Sequence, residues 1–449
     1  MNKDIIDFGP VHDTTKDIIK VVGVGGGGCN AVANMYREGM DSVRFAVCNT
    51  DSKSLSASPV PTKILLGKSG LGAGADPEKG RQEAEENIDD IKRLFDDNTQ
   101  MVFVTAAMGG GTGTGAGPLV AKVARDMGKL TIGIVTIPFY FERRPKIIKA
   151  LKGLDNMRNN VDALLIINNE QISKVYSDSH IPVDEALKLA DQVMSNAVRS
   201  ISELITLTGK IQTDFSDVKT TMKNGGGAIM AIGRASGEHR VRNAVLDALN
   251  SPLLYGSDIN KATRILFNIY TSSKSQLYVD ELQEIDDFMD ELDPDINVIW
   301  GMATDESLED DAKITILATG FDNSIPIEAK QAETREDFYE IIDKLYGRHK
   351  QKDETPITDP PFTIVVPESP ETAANNTTGI DGFTSVGSDI DSEEEPLKDR
   401  GNEAEKKDND DDIVNVQEKT QYEDPSKTFL NRVKMRILQG LKEMTKPEE

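Results

Sequence analysis

A nine-residue run with six glycines constrains this chain more than any other feature. The run GGGTGTGAG at 109–117 directly follows the apolar, β-branched segment 101–107 and precedes a helix-like segment that opens with Pro118. Glycine lacks a Cβ, so backbone N–H groups can approach phosphate oxygens closely, and a following helix adds the positive end of its dipole. A flexible turn is the plain alternative, but ordered elements flank the loop on both sides. The run therefore predicts a phosphate-binding loop.

Short apolar segments recur along the first part of the chain and predict buried parallel strands. They lie at 18–24, 101–107, 130–137 and 161–167, and helix-like stretches such as 77–95 lie between them. Strands that alternate with helices in this way predict an α/β fold, here a doubly wound nucleotide-binding domain. Its ligand is expected at the carboxyl ends of the strands, where the glycines lie.

The later part of the chain predicts a second, smaller α/β domain. Apolar residues recur at helical spacing over 184–207, and strand-like segments follow at 225–233, 296–303 and 313–321. The predicted divisions are a flexible N-terminus at 1–15, a nucleotide-binding domain at 16–183, a central helix at 184–208, the second domain at 209–345, a disordered acidic linker at 346–424 and a terminal helix at 425–449.

Charge and cysteine content narrow the function classes. The net charge of −25 opposes binding to nucleic acid, which needs clustered cations. Cys29 and Cys48 both lie in apolar stretches without a nearby Cys/His cluster, which predicts reduced, buried thiols and a cytoplasmic protein. The N-terminus lacks the apolar run of a secretory signal, and no segment is long enough to cross a bilayer.

The C-terminal tail consists of two parts with opposite charge. Residues 351–424 contain 21 acidic and 6 basic side chains, few aromatics and no periodicity, so a disordered linker is expected. Residues 425–449 contain 3 acidic and 6 basic side chains, and their apolar residues share one helical face. This segment predicts a docking helix for protein partners, with weak or indirect membrane contact as the alternative.

A second glycine run, GVGGGGCN at 23–30, leaves a rival open. Gly23, Gly25 and Gly28 satisfy the G-x-G-x-x-G spacing of dinucleotide-binding folds, so a nicotinamide- or flavin-dependent oxidoreductase is one hypothesis. A dinucleotide fold has no need of a second phosphate loop as strong as 109–117. A P-loop of the G-x-x-x-x-G-K-[ST] type is excluded before Lys68, because Thr62 stands where that motif needs glycine.

Five segments, taken together and in order, resemble the tubulin/FtsZ family and its FtsZ branch in particular. They are GVGGGGCNAV at 23–32, NTDSKSL at 49–55, GLGAGADPEKGR at 70–81, GGGTGTGAG at 109–117 and PFYFE at 138–142, and the resemblance covers about residues 15–325. It implies a GTP-dependent polymerising GTPase that builds a cytokinetic ring at the mid-cell division site in the cytoplasm. A tubulin-like filament protein with another task is the alternative within this class.

The resemblance also implies site residues. The positions expected to bind GTP are Gly26, Gly27, Asn30, Ala75, Gly110, Gly111, Thr112, Gly113, Thr114, Glu142, Lys146, Asn169 and Asp191. Among them, Glu142 is expected to contact the ribose, and Asn169 and Asp191 are expected to read guanine. A carboxylate at 191 could accept from both guanine N1–H and the exocyclic amine, which supports this assignment. Mg²⁺ is expected beside the phosphates.

The segment TDFSD at 213–217 resembles the loop with which the family completes the active site of a neighbouring subunit. Asp214 and Asp217, with Gln212 beside them, are the expected catalytic residues. If Asp191 touches the base, a continuous helix to Leu207 spans roughly 24 Å, so Asp214 would act on the next subunit in a head-to-tail filament. An ordinary helix cap is the plain alternative for this aspartate pair.

Three residues depart from the family pattern and bear on the rate of hydrolysis. Gln212 stands where asparagine is usual, Arg143 replaces a common glycine, and Lys146 replaces a usual arginine. Lysine keeps the charge but lacks the bidentate fork of arginine. The partners implied by the resemblance are further copies of the chain and, through 425–449, membrane-anchoring and regulatory division proteins.

Overall fold

A computed structural model describes residues 18–40, 43–175, 182–207, 209–211, 213–251, 259–321 and 334–346. The strands are β1 Ile19–Val24, β2 Val43–Asn49, β3 Thr62–Leu65, β4 Met101–Ala107, β5 Leu130–Ile137, β6 Ala163–Asn168, β7 Gly209–Ile211, β8 Gly226–Ala235, β9 Arg264–Thr271, β10 Asn297–Thr304 and β11 Ala312–Phe321. The helices are α1 Gly25–Glu38, α2 Ser52–Ala57, α3 Pro77–Glu86, α4 Ile88–Phe95, α5 Thr112–Asp126, α6 Arg144–Asn160, α7 Asn169–Val175, α8 Val183–Thr206, α9 Phe215–Met222, α10 Arg240–Leu249, α11 Val279–Met289 and α12 Arg335–Leu345.

The first six strands form the parallel sheet that the sequence predicts. Their order is β3-β2-β1-β4-β5-β6, and β1 pairs in parallel with both β2 and β4. Every residue of β1 and β5 is buried, because helices cover both faces of the sheet. The order reverses beside β1, which is the position where doubly wound folds bind ligands. The predicted α/β fold class is confirmed.

Two predicted helix boundaries are wrong. Helix α5 begins at Thr112 and has Pro118 inside it, because the glycine run itself forms the first turns of the helix. The stretch 77–95 forms two helices that are separated at Asn87. The side chain of Asn87 accepts from the N–H of Gly67 at 2.7 Å and donates to Asp90 at 3.0 Å, which holds the break in place.

The sheet continues without interruption into the second half of the chain. Strand β8 pairs in parallel with β6, and β11, β9, β10 and β7 follow it, so the sheet has eleven strands in the part of the chain that the structure describes. Asp162 fixes this junction. Its buried carboxylate accepts from the N–H of Thr131 at 2.9 Å and lies 3.0 Å from the ammonium of Lys223, while its carbonyl accepts from the N–H of Gly226. The side chain and the backbone carbonyl of this one residue thus tie β5, the end of α9 and the start of β8 together.

Helix α8 is the longest described helix and runs along the sheet. Its apolar face contributes Met194, Ala197, Val198 and Ile201 to a core that also contains residues of α1, β5, β6 and β9. Helix α12 packs on the other side of the sheet, against α6. Within the described parts of the chain, no helix combines the length and the apolar character needed to cross a membrane.

The two edges of the sheet are short strands. Strand β3 has four residues and β7 has three, and Lys63 and Lys210 lie on them.

Both cysteines, Cys29 and Cys48, are free and buried, and burial raises the pKa of the Cys29 thiol to about 12.

Candidate nucleotide-binding site

The two glycine runs lie against each other at the carboxyl ends of β1 and β4. Gly25 has φ +74°, and a Cβ on it would lie 2.6 Å from the backbone nitrogen of Gly113. A Cβ on Gly27 would lie 2.5 Å from the Cβ of Ala107. Only glycine permits both approaches, so the N-termini of α1 and α5 stand side by side. Each helix start offers backbone N–H groups without partners within the helix and the positive end of a dipole.

Two glycines of the predicted site, Gly26 and Gly110, have free space around them, unlike their neighbours. A Cβ on Gly26 or on Gly110 would meet no atom within 4 Å. Neither glycine is therefore needed for packing of the chain, whereas Gly111 and Gly113 are closely surrounded. Two uncrowded backbone positions at paired helix starts provide the space that a row of phosphate groups requires.

The two threonines of the loop already have partners within the protein. The Thr112 hydroxyl lies 2.6 Å from the Thr50 hydroxyl, which links the loop to the end of β2. The Thr114 hydroxyl accepts from the N–H of Gly109 at 2.8 Å. Both side chains are buried, so in this arrangement they shape the loop, and the backbone N–H groups remain the groups available to a ligand.

The third predicted segment, 70–81, borders the same loop. A Cβ on Gly111 would lie 2.8 Å from the Cβ of Ala73, so the segment packs directly on α5. Ala75 is exposed and has φ +59°, a conformation that non-glycine residues rarely adopt. The Lys149 ammonium donates to its carbonyl at 2.7 Å, which holds this strained residue at the rim of the site.

Glu142 and Lys146 lie together beside the loop. The Lys146 ammonium donates to Glu142 Oε2, and Glu142 Oε1 accepts from the N–H of Phe139 at 3.0 Å. A Cβ on Gly109 would lie 2.9 Å from both Lys146 Cγ and Pro138 Cγ. The segment 138–146 therefore packs directly against the glycine loop. The two predicted ligand residues neutralise each other in this structure.

The residues predicted to read the base lie on α7 and α8. Asn169 is 7% exposed, and its Oδ1 has no hydrogen-bond partner among the described residues. This amide oxygen is therefore free to accept a hydrogen bond from a ligand. Asp191 accepts from Asn34 at 3.1 Å, and burial raises its pKa to about 6. Asn34 is absent from the predicted site, and no motif in the sequence identifies it. Asn30, one turn earlier on α1, is exposed.

The predicted catalytic pair lies at the start of α9. Asp214 Oδ1 accepts from the N–H groups of Ser216 and Asp217, and Asp217 Oδ2 accepts from the N–H of Asp214 at 3.0 Å. The pair is therefore a reciprocal helix cap, and one oxygen of each carboxylate remains available. Asp214 is exposed. Gln212, the third predicted catalytic residue, lies outside the described residues.

Metal-binding side chains are not grouped in the described ranges. No three His, Cys, Asp or Glu side chains lie there as they would to hold a metal ion. The carboxylates of the predicted site are instead engaged singly, with Lys146, Asn34 or backbone N–H groups.

The paired glycine loops on a doubly wound sheet define a protein of the tubulin type. The sequence matches the model of the Tubulin/FtsZ family, GTPase domain, over residues 18–177 and that of the FtsZ family, C-terminal domain, over residues 226–322. The cell division protein FtsZ of Porphyromonas gingivalis is 47% identical over 326 residues, which cover 72% of this chain and 71% of that protein. The chain therefore belongs to the FtsZ family, the polymerising GTPases of cell division.

Solved structures agree with this assignment. An FtsZ dimer of M. jannaschii matches with a TM-score of 0.63 and 38% identity, over 69% of this chain and 90% of that one. CetZ2 from Haloferax volcanii, described as a protofilament with GTPγS bound, matches with a TM-score of 0.60 over 73% and 99% of the two chains; at 20% identity it supports the fold alone. The oxidoreductase hypothesis is not favoured.

Proposed function

We propose that this protein hydrolyses GTP only at the contact between two subunits stacked head to tail. One subunit holds the nucleotide between its two glycine loops, and Asp214 and Asp217 of the next subunit complete the active site. The observation that carries the proposal is the separation of the two groups along α8. From Asp191 to Thr206 this helix rises about 22 Å, so the Asp214 loop lies beyond reach of the nucleotide in its own subunit.

Exposed apolar side chains at both ends support a head-to-tail contact. Leu71 and Phe141, beside the glycine loops, are 87% and 65% exposed. Tyr278 and Val279 are 63% and 80% exposed. They lie near β7, because Lys210 donates to Gln276 at 3.1 Å. Such side chains are typical of surfaces that become covered by a partner.

The chemistry follows from the charges. Backbone N–H groups of Gly26, Gly27 and 110–113 would bind the phosphates, with Thr112 and Thr114 shaping the loop, and Ala75 would lie at their edge. Asn169 and Asp191 would bind guanine, Glu142 would contact the ribose, and Asn30 would help to hold the phosphates and ribose. The free oxygens of Asp214 and Asp217, with Gln212 beside them, would orient and polarise the attacking water. Lys146 would offset negative charge at the terminal phosphate.

Mg²⁺ fits this site as an ion held mainly by the nucleotide. Magnesium keeps several waters and needs only one or two protein ligands when phosphates bind it. The absence of a carboxylate cluster in the described residues agrees with that mode. The ion would supply charge compensation at the phosphates.

Turnover measured against protein concentration tests the shared site. Phosphate release per subunit should be near zero below the assembly threshold and should rise steeply above it, since hydrolysis requires a contact between subunits. A rate per subunit that stays constant across the threshold would contradict the proposal.

The finer cellular role is part of the same proposal. Filaments in the cytoplasm would form the mid-cell division ring, and residues 425–449, which lie outside the described part of the chain, would bind membrane-anchoring and regulatory proteins. Their net positive charge and helical apolar face support this role.

Deleting 425–449 should abolish recruitment of filaments to a membrane anchor and leave assembly in solution intact. Loss of assembly in the deletion variant would refute this division of roles.

A further inference from the structure

Helix α12 lies beyond the residues that the family models match, yet it packs on the nucleotide-binding half of the chain. The second family match ends at 322, whereas α12 spans Arg335–Leu345. Its apolar residues Phe338, Ile341 and Ile342 are buried in the same core as Ile147 of α6. The chain thus returns from the second half and ends its described part beside the nucleotide site.

Tyr346, the first residue of the predicted linker, contacts the segment that leads to Glu142. It is 1% exposed, and its hydroxyl donates to the carbonyl of Pro138 at 2.6 Å. Its ring centroid lies 5.5 Å from that of Tyr140. Burial, with a smaller contribution from Glu170 and Glu142, raises the pKa of Tyr346, so the hydroxyl keeps its proton and remains a donor.

An ion pair joins α12 to the start of α6, which directly follows the segment from Pro138 to Glu142. The Arg144 guanidinium donates to Asp343 at 2.8 Å and lies 4.5 Å from the centre of the Tyr339 ring. The Asp343 carboxylate is only 17% exposed, which strengthens the pair relative to one in open solvent. Arg144 is the first residue of α6, two residues before Lys146.

Two further hydrogen bonds hold the segment from Pro138 to Glu142, one within the segment and one from α7. The N–H of Phe139 donates to Glu142 at 3.0 Å, and the N–H of Tyr140 donates to Glu170 at 3.0 Å. Glu170 adjoins Asn169 of the predicted base site. Tyr346, directly after α12, and Glu170 of α7 therefore bond to this segment from outside it, at Pro138 and Tyr140.

We propose that Tyr346 and Asp343 are positioning residues for the nucleotide site, acting through the segment that presents Glu142 and Lys146. This inference rests on the proposed function, which assigns those two residues to the nucleotide. Its consequence is that the root of the C-terminal tail is fixed to the nucleotide-binding half of the subunit. Changes at α12 then alter nucleotide affinity from outside the site.

Point variants of the full chain test this inference with a fluorescent GDP derivative as the probe. We expect Tyr346→Phe and Asp343→Asn each to weaken binding about five- to tenfold, the effect of one hydrogen bond or ion pair. Glu340→Gln is the matched control, because Glu340 lies on the exposed face of the same helix, and it should bind within twofold of wild type. Wild-type affinity in both test variants would overturn the inference.

A double-mutant cycle separates positioning from a general loss of stability. If Tyr346 acts through Glu142, the effect of Tyr346→Phe should fall below twofold in a Glu142→Gln background. An equal factor in both backgrounds would overturn the inference. If circular dichroism shows that Tyr346→Phe does not fold, Asp343→Asn against Glu340→Gln decides the question. If the wild-type chain does not bind guanine nucleotide, the proposed function itself is wrong. If wild type and all variants bind equally, only this inference is wrong.

Discussion

The glycine loops at the ends of β1 and β4 lie mostly inside the molecule, whereas the Asp214 loop lies on its surface. In the loops the backbone provides the binding groups, and close packing around Gly25 and Gly113 fixes them before any ligand arrives. At the Asp214 loop the side chains are the groups proposed to act, and a helix cap holds two of the four carboxylate oxygens of Asp214 and Asp217. In the proposed function the first region is complete within one subunit, and the second acts only when another subunit approaches.

Substitution at Asp214 should produce the largest effect on turnover. Asp214→Asn keeps a capping oxygen, so we expect little change in stability or GDP binding but at least a roughly 100-fold lower rate of GTP hydrolysis, typical of losing a group that directs water. Asp293→Asn is the matched control, because Asp293 is an exposed aspartate that also accepts from a backbone N–H, at 2.9 Å. Equal loss of phosphate release in both variants would break the comparison.

Two neighbouring glycines should separate packing from binding in the buried region. Gly25→Ala should lower the free energy of unfolding by about 2 kcal/mol, since φ +74° and contact with Gly113 exclude a side chain. Gly26→Ala has room for its methyl group and should leave stability unchanged, but should weaken GDP binding at least about tenfold by occupying space beside the helix N-terminus. Denaturant unfolding and nucleotide titration measure the two quantities. Wild-type GDP affinity in Gly26→Ala would argue against phosphates at this position.

Nucleotide affinity should depend on pH through Asp191. Burial raises its pKa to about 6, and guanine requires the carboxylate form, so affinity should be full above about pH 7 and fall as pH drops through 6, approaching about tenfold per unit. The same raised pKa means that the folded state binds this proton more tightly than the unfolded state, which lowers stability as pH rises from about 4 to 6. GDP titrations from pH 5 to 8 give the profile. The Asp191→Asn variant should bind GDP more weakly and lose this pH dependence. If the variant keeps the pH profile of the wild type, Asp191 is not the group that binds guanine.

The smallest expected effect is at Lys146. Lys146→Arg restores a planar fork that can bind carboxylate and phosphate through two bonds, so we expect a few-fold faster hydrolysis above the assembly threshold. Lys152→Arg is the control on the same helix, because Lys152 is exposed and is not among the predicted site residues. An equal change in both variants would assign the effect to the surface charge of α6.

The sequence predicted the parallel strands and the position of the glycine loops well. Strands such as β4 and β5 are continuous apolar runs buried on both faces, and this pattern is local in the chain. The start of α5 was predicted at Pro118 instead of Thr112, because glycine carries no helix signal of its own although the loop geometry permits helical backbone there.

The contacts that join distant parts of the chain could not be predicted in the same way. Asn34 meets Asp191 across 157 positions, and Tyr346 meets Pro138 across 208. Such pairs depend on how α8 and α12 pack, which no spacing rule records. Glu142 and Lys146 are only four residues apart, but α6 begins at Arg144 and Arg143 has φ +80°, so this pair too depends on a backbone turn that helical spacing does not record.

The short edge strands of the sheet limit one kind of contact between copies of this protein, the pairing of strands across a sheet edge. The Lys63 ammonium donates to the carbonyl of Ser58 at 2.6 Å beside β3, and Lys210 occupies the three-residue β7 at the other side. Within the described residues, neither edge offers a long row of open backbone groups for a foreign strand. Addition of a strand from another copy at these edges is thereby disfavoured, so contacts between copies must use other surfaces, as the proposed head-to-tail contact does.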